Sequence, residues 1–322
     1  MDEVKRVVAV DVGGTKVAAA LVTLTDAGEP AIEHFGKAPT EAKLGGAHVL
    51  EVIVGQVERV LGEAGADGVC GIGVSTGGVV DPLTGDITYA NDMMPGWGGT
   101  HLGAELEARF GLKAHVMNDV HAHALGEARW GAGRGAESVF VCAVGTGIGG
   151  AFVERGHLLL GAHGAATNIG HVTCADARGI PCQCGAAGHV ETIAAGPGIL
   201  ERYLELGGAK VDEKGAPVDG AYISRAAEAG DEAAAAAETR SGRALGEVLG
   251  NMVNLFDPEC VVLSGSVAKC GPVWHQALKS GWEGAVMPPQ AHTPIRDGQL
   301  GDNAPLVGAA ENLVRSAYVG LE

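Results

Sequence analysis

One glycine-rich stretch of the chain, residues 161–191, contains three histidines and three cysteines, and two of each have the spacing of metal ligands. His171 is followed by Cys182 and Cys184, which are one residue apart, and then by His189. Imidazole nitrogens and thiolates at short loop spacings are the ligands that a tetrahedral structural Zn²⁺ takes. Buried thiols beside surface histidines would give the same residue types, but a histidine on each side of the Cys-x-Cys pair favours the metal. The sequence therefore predicts a zinc site at these four residues, here called the Cys/His cluster.

Polar residues stand at both ends of this cluster. Asn168 precedes His171 by three positions, and Glu191 follows His189 by two. A structural metal would hold the Asn168 and Glu191 side chains in place. We therefore expect a binding site for a ligand rich in hydroxyl groups beside the cluster.

Two strand–turn–strand patterns, at residues 7–22 and 139–153, contain Gly-Thr in their turns. Consecutive backbone N–H groups in such a turn can bind a phosphate without obstruction by side chains. A single glycine-rich turn also arises for purely steric reasons. Two copies are typical of the actin-like ATPase and sugar-kinase fold, in which nucleotide lies between duplicated domains.

Composition restricts the class of protein. The chain has 322 residues, enough for one large or two modest domains, and a formal charge of −17, which disfavours nucleic acids and anionic membranes as partners. We expect no signal peptide and no membrane span, because no apolar run approaches the roughly 18 residues that a span needs. The odd number of cysteines, 7, then indicates reduced thiols and a cytoplasmic protein.

The elements that must position these residues alternate between strand and helix. Short apolar runs such as residues 7–11, 69–74 and 115–117 predict buried strands, while residues 48–64 and the Ala-rich run 232–256 carry apolar residues at helical spacing. This alternation predicts α/β layers around sheets.

The chain resembles the ROK family, which comprises bacterial sugar kinases and related repressors, over essentially its whole length. The motifs that carry the resemblance occur in the family's order: Asp11–Lys16 (DVGGTK), Asn118–Asp119, Val144–Gly150 (VGTGIGG), the Cys/His cluster and Leu263–Val267 (LSGSV). The repressor members carry an N-terminal helix-turn-helix, whereas the first predicted strand here begins within about five residues of Met1. The resemblance therefore implies a kinase member.

The resemblance implies roles for the polar residues in phosphoryl transfer. Asp119 corresponds to the base that accepts the proton of the sugar 6-hydroxyl, although Asn118-Asp119 is also a common helix N-cap. Asp11 would hold Mg²⁺ through water, and Lys16 either adds charge or only begins a strand. The residues expected to bind ATP are Asp11, Gly13, Gly14, Thr15, Lys16, Gly145, Thr146, Gly147, Gly265 and Ser266. For the last two, an ordinary strand-to-helix turn is the alternative.

On the sugar side, the family uses the first histidine of the cluster twice, because zinc on one ring nitrogen orients the other towards the sugar. Either Asn91 or Asp92 would face the sugar, since the segment before Trp97 is one residue longer than the common pattern. Asn118 would contact the sugar or hold the end of the strand. The expected sugar residues are Gly77, Asn91, Asp92, Asn118, Asp119, Asn168, His171 and Glu191.

Departures from the glucokinase pattern point away from plain glucose. Two of these departures lie at the expected sugar pocket: Asn168 stands where a glutamate is usual, and residues 75–78 (STGG) replace a Pro-Gly pair. We interpret Asn168, Ser75 and Thr76 as residues of an acetamido pocket. The third departure, His189 in place of a cysteine, leaves a two-His, two-Cys zinc site. An amide can both donate to and accept from a 2-acetamido group. We therefore expect an N-acetylmannosamine kinase, with glucokinase or another hexose or N-acetylhexosamine kinase as the alternative. A non-catalytic sugar-sensing regulator is the alternative of another class.

The resemblance also implies the architecture, a two-domain actin-like ATPase (ribonuclease H-like) fold with the nucleotide and sugar in a cleft between the domains. We expect one α/β domain over residues 1–118, completed by a C-terminal helix over 303–322, and a larger one over 119–302 that carries the Cys/His cluster. Family members are commonly dimers, so we expect a homodimer.

Overall fold

The computed structural model describes residues 4–25 and 28–318 of the chain. Its strands are β1 (Lys5–Val12), β2 (Lys16–Leu24), β3 (Ala31–Pro39), β4 (Val69–Thr76), β5 (Val79–Val80), β6 (Ile87–Tyr89), β7 (Ala114–Asn118), β8 (Ser138–Val144), β9 (Ile148–Glu154), β10 (His157–Leu158), β11 (Cys260–Ser264) and β12 (Ile295–Asp297). Its α-helices are α1 (Gly46–Ala64), α2 (Leu102–Phe110), α3 (Asp119–Trp130), α4 (Glu191–Ala194), α5 (Gly196–Glu205), α6 (Gly220–Glu228), α7 (Glu232–Phe256), α8 (Pro272–Ala285) and α9 (Ala304–Val314). The predicted alternation of strand and helix is confirmed.

The chain packs as two compact units. The first comprises residues 1–137, 151–166 and 299–322, and the second comprises residues 138–150 and 167–298. The first unit thus includes α3, which the expected division at residue 118 assigns to the other domain. Close backbone packing explains this grouping, because Gly126 of α3 lies against Ala304 of α9 and Gly308 of α9 lies against Ala122.

The first unit is built on a five-stranded sheet in the order β3-β2-β1-β4-β7. β1 is antiparallel to β2 and parallel to β4, which is parallel to β7. Successive β1 side chains enter different cores, as the two-residue period of a strand requires. Val8 and Val10 pack in one core with buried residues of α1, whereas Val7 packs in another with residues of α9 such as Val307.

The second unit contains the strands β8, β11 and β12 of a sheet with the order β10-β9-β8-β11-β12. β11 is parallel to both β8 and β12. The short β10 pairs with the end of β9, and those paired residues belong to the first unit. The predicted Ala-rich helix is confirmed as α7, which packs against α8 through glycines such as Gly246.

The expected C-terminal helix over 303–322 is wrong in its extent. α9 covers Ala304–Val314 and stops because Arg315 adopts φ −133° and ψ 49°, outside the α-helical region. Residues 319–322 of the expected helix lie outside the described residues. Within residues 4–25 and 28–318, none of the helices has both the length and the apolar character needed to cross a bilayer.

Candidate active site

Asn118 and Asp119 lie at the junction where β7 ends and α3 begins. The Asn118 Oδ1 atom accepts hydrogen bonds from the Val120 N–H at 2.9 Å and the His121 N–H at 3.3 Å. Its Nδ2 donates to the Gly78 carbonyl at 2.9 Å. Asn118 is therefore the N-cap of α3. The capping role that the pair could have shared falls to Asn118, and Asp119 takes the first position of the helix.

Burial raises the pKa of Asp119, while hydrogen bonds from backbone N–H groups, the Val120 N–H first among them, oppose this rise. A Cβ atom added at Gly77 would lie 3.9 Å from Asp119 Oδ2, so the glycine leaves the space beside the carboxylate open. His123, one turn further along α3, has a pKa lowered by burial and favours the ionised form of Asp119. A carboxylate with a raised pKa beside open space suits a general base.

Asp11 is the second carboxylate of this region. The Ser75 hydroxyl donates to Asp11 Oδ1 at 2.8 Å, across the parallel pair β1–β4 in which the two residues are registered partners. Burial raises the pKa of Asp11 to about 6; the Ser75 hydrogen bond opposes the rise and the charge of Asp119 adds to it. The structure thus places Asp11 and Asp119 near enough for the charge of Asp119 to raise the pKa of Asp11.

The turn between β1 and β2 contains Gly13, Gly14, Thr15 and Lys16. The Gly13 N–H donates to the Lys16 carbonyl at 2.9 Å, and the Thr40 hydroxyl donates to the Gly13 carbonyl at 2.6 Å. The Lys16 ammonium forms an exposed ion pair with Asp302 at 3.2 Å. Lys16 is therefore both the first residue of β2 and a cation beside the turn.

The side chains of Ser75 and Thr76 are fully buried. The Thr76 hydroxyl accepts a hydrogen bond from the buried Trp97 indole N–H at 3.0 Å. The interpretation of these two hydroxyls as part of an acetamido pocket is therefore wrong, because both are directed into the protein. The contact of Ser75 with Asp11 depends on the register that pairs β4 with β1, and the sequence does not give that register.

The segment 91–97 is held on the first unit by Trp97 and by Gly96, whose carbonyl lies against Gly46 at the start of α1. Asn91 and Asp92 are both exposed, and Asn91 Oδ1 accepts from the Met93 N–H at 3.1 Å. This contact occupies one oxygen of Asn91, and the Asp92 carbonyl accepts from Lys43 Nζ at 3.4 Å.

In the second unit, Glu191 lies against the turn that joins β8 and β9. Its Oε2 accepts a hydrogen bond from the Ile148 N–H at 2.9 Å. A Cβ atom at Gly147 would lie only 2.8 Å from the same oxygen, so a side chain there would displace the Glu191 carboxylate from this position. The structure therefore places a residue expected at the sugar directly beside a turn expected at the phosphates.

A second turn lies beside the first in the same unit. Gly265 has φ +96°, and its Cα lies against the Val144 carbonyl with no room for a side chain. A Cβ atom added at Gly145 would lie 3.7 Å from Ser266 Oγ. The exposed Thr146 completes the expected nucleotide residues of this unit, which the structure brings together.

The Cys/His cluster forms a compact set of donor atoms, one from each residue, that all lie within 4.8 Å of one another. The Nδ1 atoms of His171 and His189 are 3.4 Å apart, Cys182 Sγ lies 3.7 Å from His171 Nδ1, and Cys184 Sγ lies 3.3 Å from His189 Nδ1. Bond lengths of 2.0–2.3 Å to zinc predict tetrahedral donor separations of about 3.3–3.8 Å. The spacing and chemistry of the donors therefore fit Zn²⁺.

The nitrogen of His171 within this set is Nδ1, so Nε2 is the ring nitrogen that remains outside the cluster. The exposed Asn168 precedes it in a short 3-10 turn, and its carbonyl accepts the His171 N–H at 3.1 Å. This arrangement agrees with one ring nitrogen for a metal and the other for a ligand.

The ROK family model matches residues 7–316 of the chain. A glucokinase of Halalkalibacterium halodurans is 32% identical, over 94% of this chain and 92% of its own length. The ROK hexokinase structure from Thermus thermophilus is 32% identical with a TM-score of 0.78, covering 95% of this chain and 96% of that one.

A ROK-family glucokinase from Streptomyces griseus, solved in complex with glucose and AMPPNP, is 28% identical with a TM-score of 0.76. The match covers 95% of this chain and 98% of that one. The chain therefore belongs to the ROK family and has the actin-like ATPase fold of its sugar kinases.

Proposed function

We propose that this ROK-family sugar kinase transfers the γ-phosphoryl group of ATP to the 6-hydroxyl of a hexose. The observation that carries the proposal is the pair Asn118–Asp119, in which the cap leaves a buried carboxylate at the start of α3. The glucokinase relatives support the same reaction.

Asp119 is proposed as the base that accepts the proton of the attacking hydroxyl. Its raised pKa favours proton uptake, and hydrogen bonds from backbone N–H groups, the Val120 N–H first among them, oppose the rise caused by burial. Gly77 would leave room for the hydroxyl, because any side chain there would approach Asp119 Oδ2.

The proposed ATP residues supply backbone N–H groups and one carboxylate. The turns at residues 13–16 and 145–147 would bind phosphate oxygens, and Gly265 and Ser266 would lie near the nucleoside. The Asp11 carboxylate is an oxygen donor of the kind that suits Mg²⁺. When bound, Mg²⁺ would neutralise charge on the transferred phosphates.

The proposed sugar contacts in the second unit are Asn168, His171 and Glu191, and those in the first unit are Gly77, Asn91, Asp92 and Asn118. The Cys/His cluster would hold Zn²⁺ and fix the orientation of the His171 ring, as the donor spacing supports. Homodimer formation is part of the proposal on family grounds, and light scattering after size-exclusion chromatography tests it.

N-acetylmannosamine is the proposed hexose. Among the residues interpreted as an acetamido pocket, only Asn168 supports this choice, because Ser75 and Thr76 are buried. The exposed amide of Asn168 can donate to and accept from a 2-acetamido group. Glucose is the second candidate, favoured by the glucokinase relatives.

A coupled ADP-release assay with ATP and Mg²⁺ tests the proposal on glucose, mannose, N-acetylglucosamine and N-acetylmannosamine. Fastest turnover of N-acetylmannosamine supports the role of Asn168, and Asn168→Glu should then shift preference towards glucose. Fastest turnover of glucose overturns the N-acetylmannosamine proposal. No turnover of any of the four by folded, zinc-loaded protein overturns both named hexoses and leaves an unusual sugar or the sugar-sensing regulator.

A further inference from the structure

Ser75 is hydrogen-bonded to Asp11 inside the sheet of the first unit. It lies in β4, is fully buried, and is the registered neighbour of Asp11 on β1 and of Met117 on β7. Its hydroxyl donates to one carboxylate oxygen, Oδ1, at 2.8 Å. The adjacent Thr76 hydroxyl is bound to the Trp97 indole instead.

We propose that Ser75 is a positioning residue for phosphoryl transfer, which holds the Asp11 carboxylate in one orientation. The inference rests on the proposed function, in which Asp11 serves the magnesium–nucleotide complex. The χ2 torsion of an aspartate is broad and roughly two-fold, so a free carboxylate samples many orientations. A hydrogen bond to Oδ1 restricts that torsion and directs Oδ2 away from the sheet neighbour.

This role concerns the metal and the nucleotide, and it is distinct from sugar selection. Ser75 has no exposed surface for a sugar, and its hydroxyl proton is engaged by Asp11. Ser75 therefore acts on catalysis through Asp11, and the choice of hexose depends on other residues.

The test measures how the rate of the Ser75→Ala variant depends on the Mg²⁺ concentration. We expect the Mg²⁺ concentration for half-maximal rate to rise and kcat to fall about tenfold, as loss of a hydrogen bond to a charged group predicts. The KM for sugar and the ranking of sugars should stay as in the wild type. Calorimetric titration with AMPPNP, with and without Mg²⁺, should show a smaller gain in affinity from Mg²⁺ in the variant.

Matched variants separate positioning from a general loss of packing. Ser75→Thr keeps a hydroxyl, so its Mg²⁺ concentration for half-maximal rate should equal that of the wild type. Thr76→Val removes the neighbouring buried hydroxyl and should also leave this concentration unchanged. Because alanine could destabilise this buried strand, Ser75→Cys, a weaker donor of similar size, is measured in parallel and should shift the Mg²⁺ dependence in the same direction.

Two outcomes overturn the inference: wild-type Mg²⁺ dependence in both Ser75→Ala and Ser75→Cys, or an altered sugar ranking with unchanged Mg²⁺ dependence. In the Asp11→Asn background, Ser75→Ala should add no further change. Full activity of Asp11→Asn itself would instead remove the role proposed for Asp11, which is a different and distinguishable failure.

Discussion

The Glu191 carboxylate accepts the backbone N–H of Ile148 at 2.9 Å, at the end of the Gly145–Gly147 turn. Glu191 is also the first residue of α4, two positions after His189 of the Cys/His cluster. One side chain thus links the element expected at the sugar to the turn expected at the phosphates. A Cβ added at Gly147 would lie 2.8 Å from the Glu191 carboxylate, so the glycine permits this contact.

Glu191→Gln and Glu191→Ala should therefore differ in which substrate they weaken. Glutamine keeps an oxygen that can accept the Ile148 N–H but loses the charge that binds hydroxyls, so the KM for sugar should rise about 10–100-fold with little change for ATP. Alanine should raise both KM values, because it also frees the turn. Initial-rate kinetics measure this, with the exposed Glu213→Ala as control. Equal effects of both variants on ATP would contradict the link.

Asp119→Asn should lower kcat by at least roughly a hundredfold, because an amide cannot accept the proton of the hydroxyl. Folding should be unchanged, since Asn118 is the N-cap of α3 and an asparagine at position 119 keeps an oxygen that can accept the Val120 N–H. Single-turnover kinetics measure the rate, and calorimetry should show sugar binding close to that of the wild type. Asn118→Ala is the opposite case, and we expect it to lose about 1 kcal/mol of stability with the cap. If Asp119→Asn turned over as fast as the wild type, Asp119 would not be the base.

The strands and turns that carry the site were predictable because their signals are local. Buried runs such as residues 7–11 and the glycine turns at 13–16 and 145–147 need only their own neighbours to form. The long helix α7 follows from its apolar spacing in the same way. β3 was missed because it is a largely exposed strand at the edge of the sheet, with little apolar patterning.

The partners of individual side chains were not predictable, since they depend on register and on distant segments. Ser75 and Asp11 are 64 positions apart, and Lys16 and Asp302 are 286 positions apart. Nothing in the local sequence distinguishes a serine that binds a buried carboxylate from one that lines a pocket. Only the pairing of β4 with β1 decides between them.

The Cys/His cluster should bind one Zn²⁺ per chain, and Cys182→Ser or Cys184→Ser should lose the metal and lower the melting temperature. Cys174→Ala is the matched control, because Cys174 is not among the four clustered donors and its variant should keep zinc. Removal of zinc should weaken sugar binding more than nucleotide binding, since His171 belongs to the cluster. Metal analysis and calorimetry measure both effects, and equal loss of the two affinities would show that the metal only maintains the fold.

The rate should fall on the acid side as the Asp11 and Asp119 carboxylates take up protons, because both have raised pKa values. The pKa of Asp11 is raised to about 6 in the protein without ligands, so the decline in kcat/KM, which reports the free enzyme, should begin near that pH rather than near 4. The two groups interact, so the pH profile will report apparent pKa values of the pair. A profile that stays flat down to pH 4.5 would contradict the raised values.

The same burial makes Asp11 costly for stability, with a sign that can be tested. Its pKa is raised from 3.8 to about 6 on folding, so the folded state binds this proton more tightly than the unfolded state. The stabilisation from the bound proton is therefore complete below about pH 4 and is lost as the pH rises through 6. Asp11→Asn removes the ionisable group yet keeps an oxygen for the Ser75 hydroxyl. Without nucleotide or Mg²⁺, the variant should thus be more stable than the wild type at pH 7.5, by up to about 3 kcal/mol.

Urea unfolding of both proteins between pH 4 and 8 measures this difference. The gain of the variant should grow from about pH 4 up through 6 and level off about one pH unit higher, where Asp11 is ionised in the folded state as well. Asp92→Asn, which changes an exposed aspartate of the same unit, is the control and should show no such trend. A difference between Asp11→Asn and the wild type that is independent of pH would mean that the Asp11 carboxylate is not destabilised by its burial.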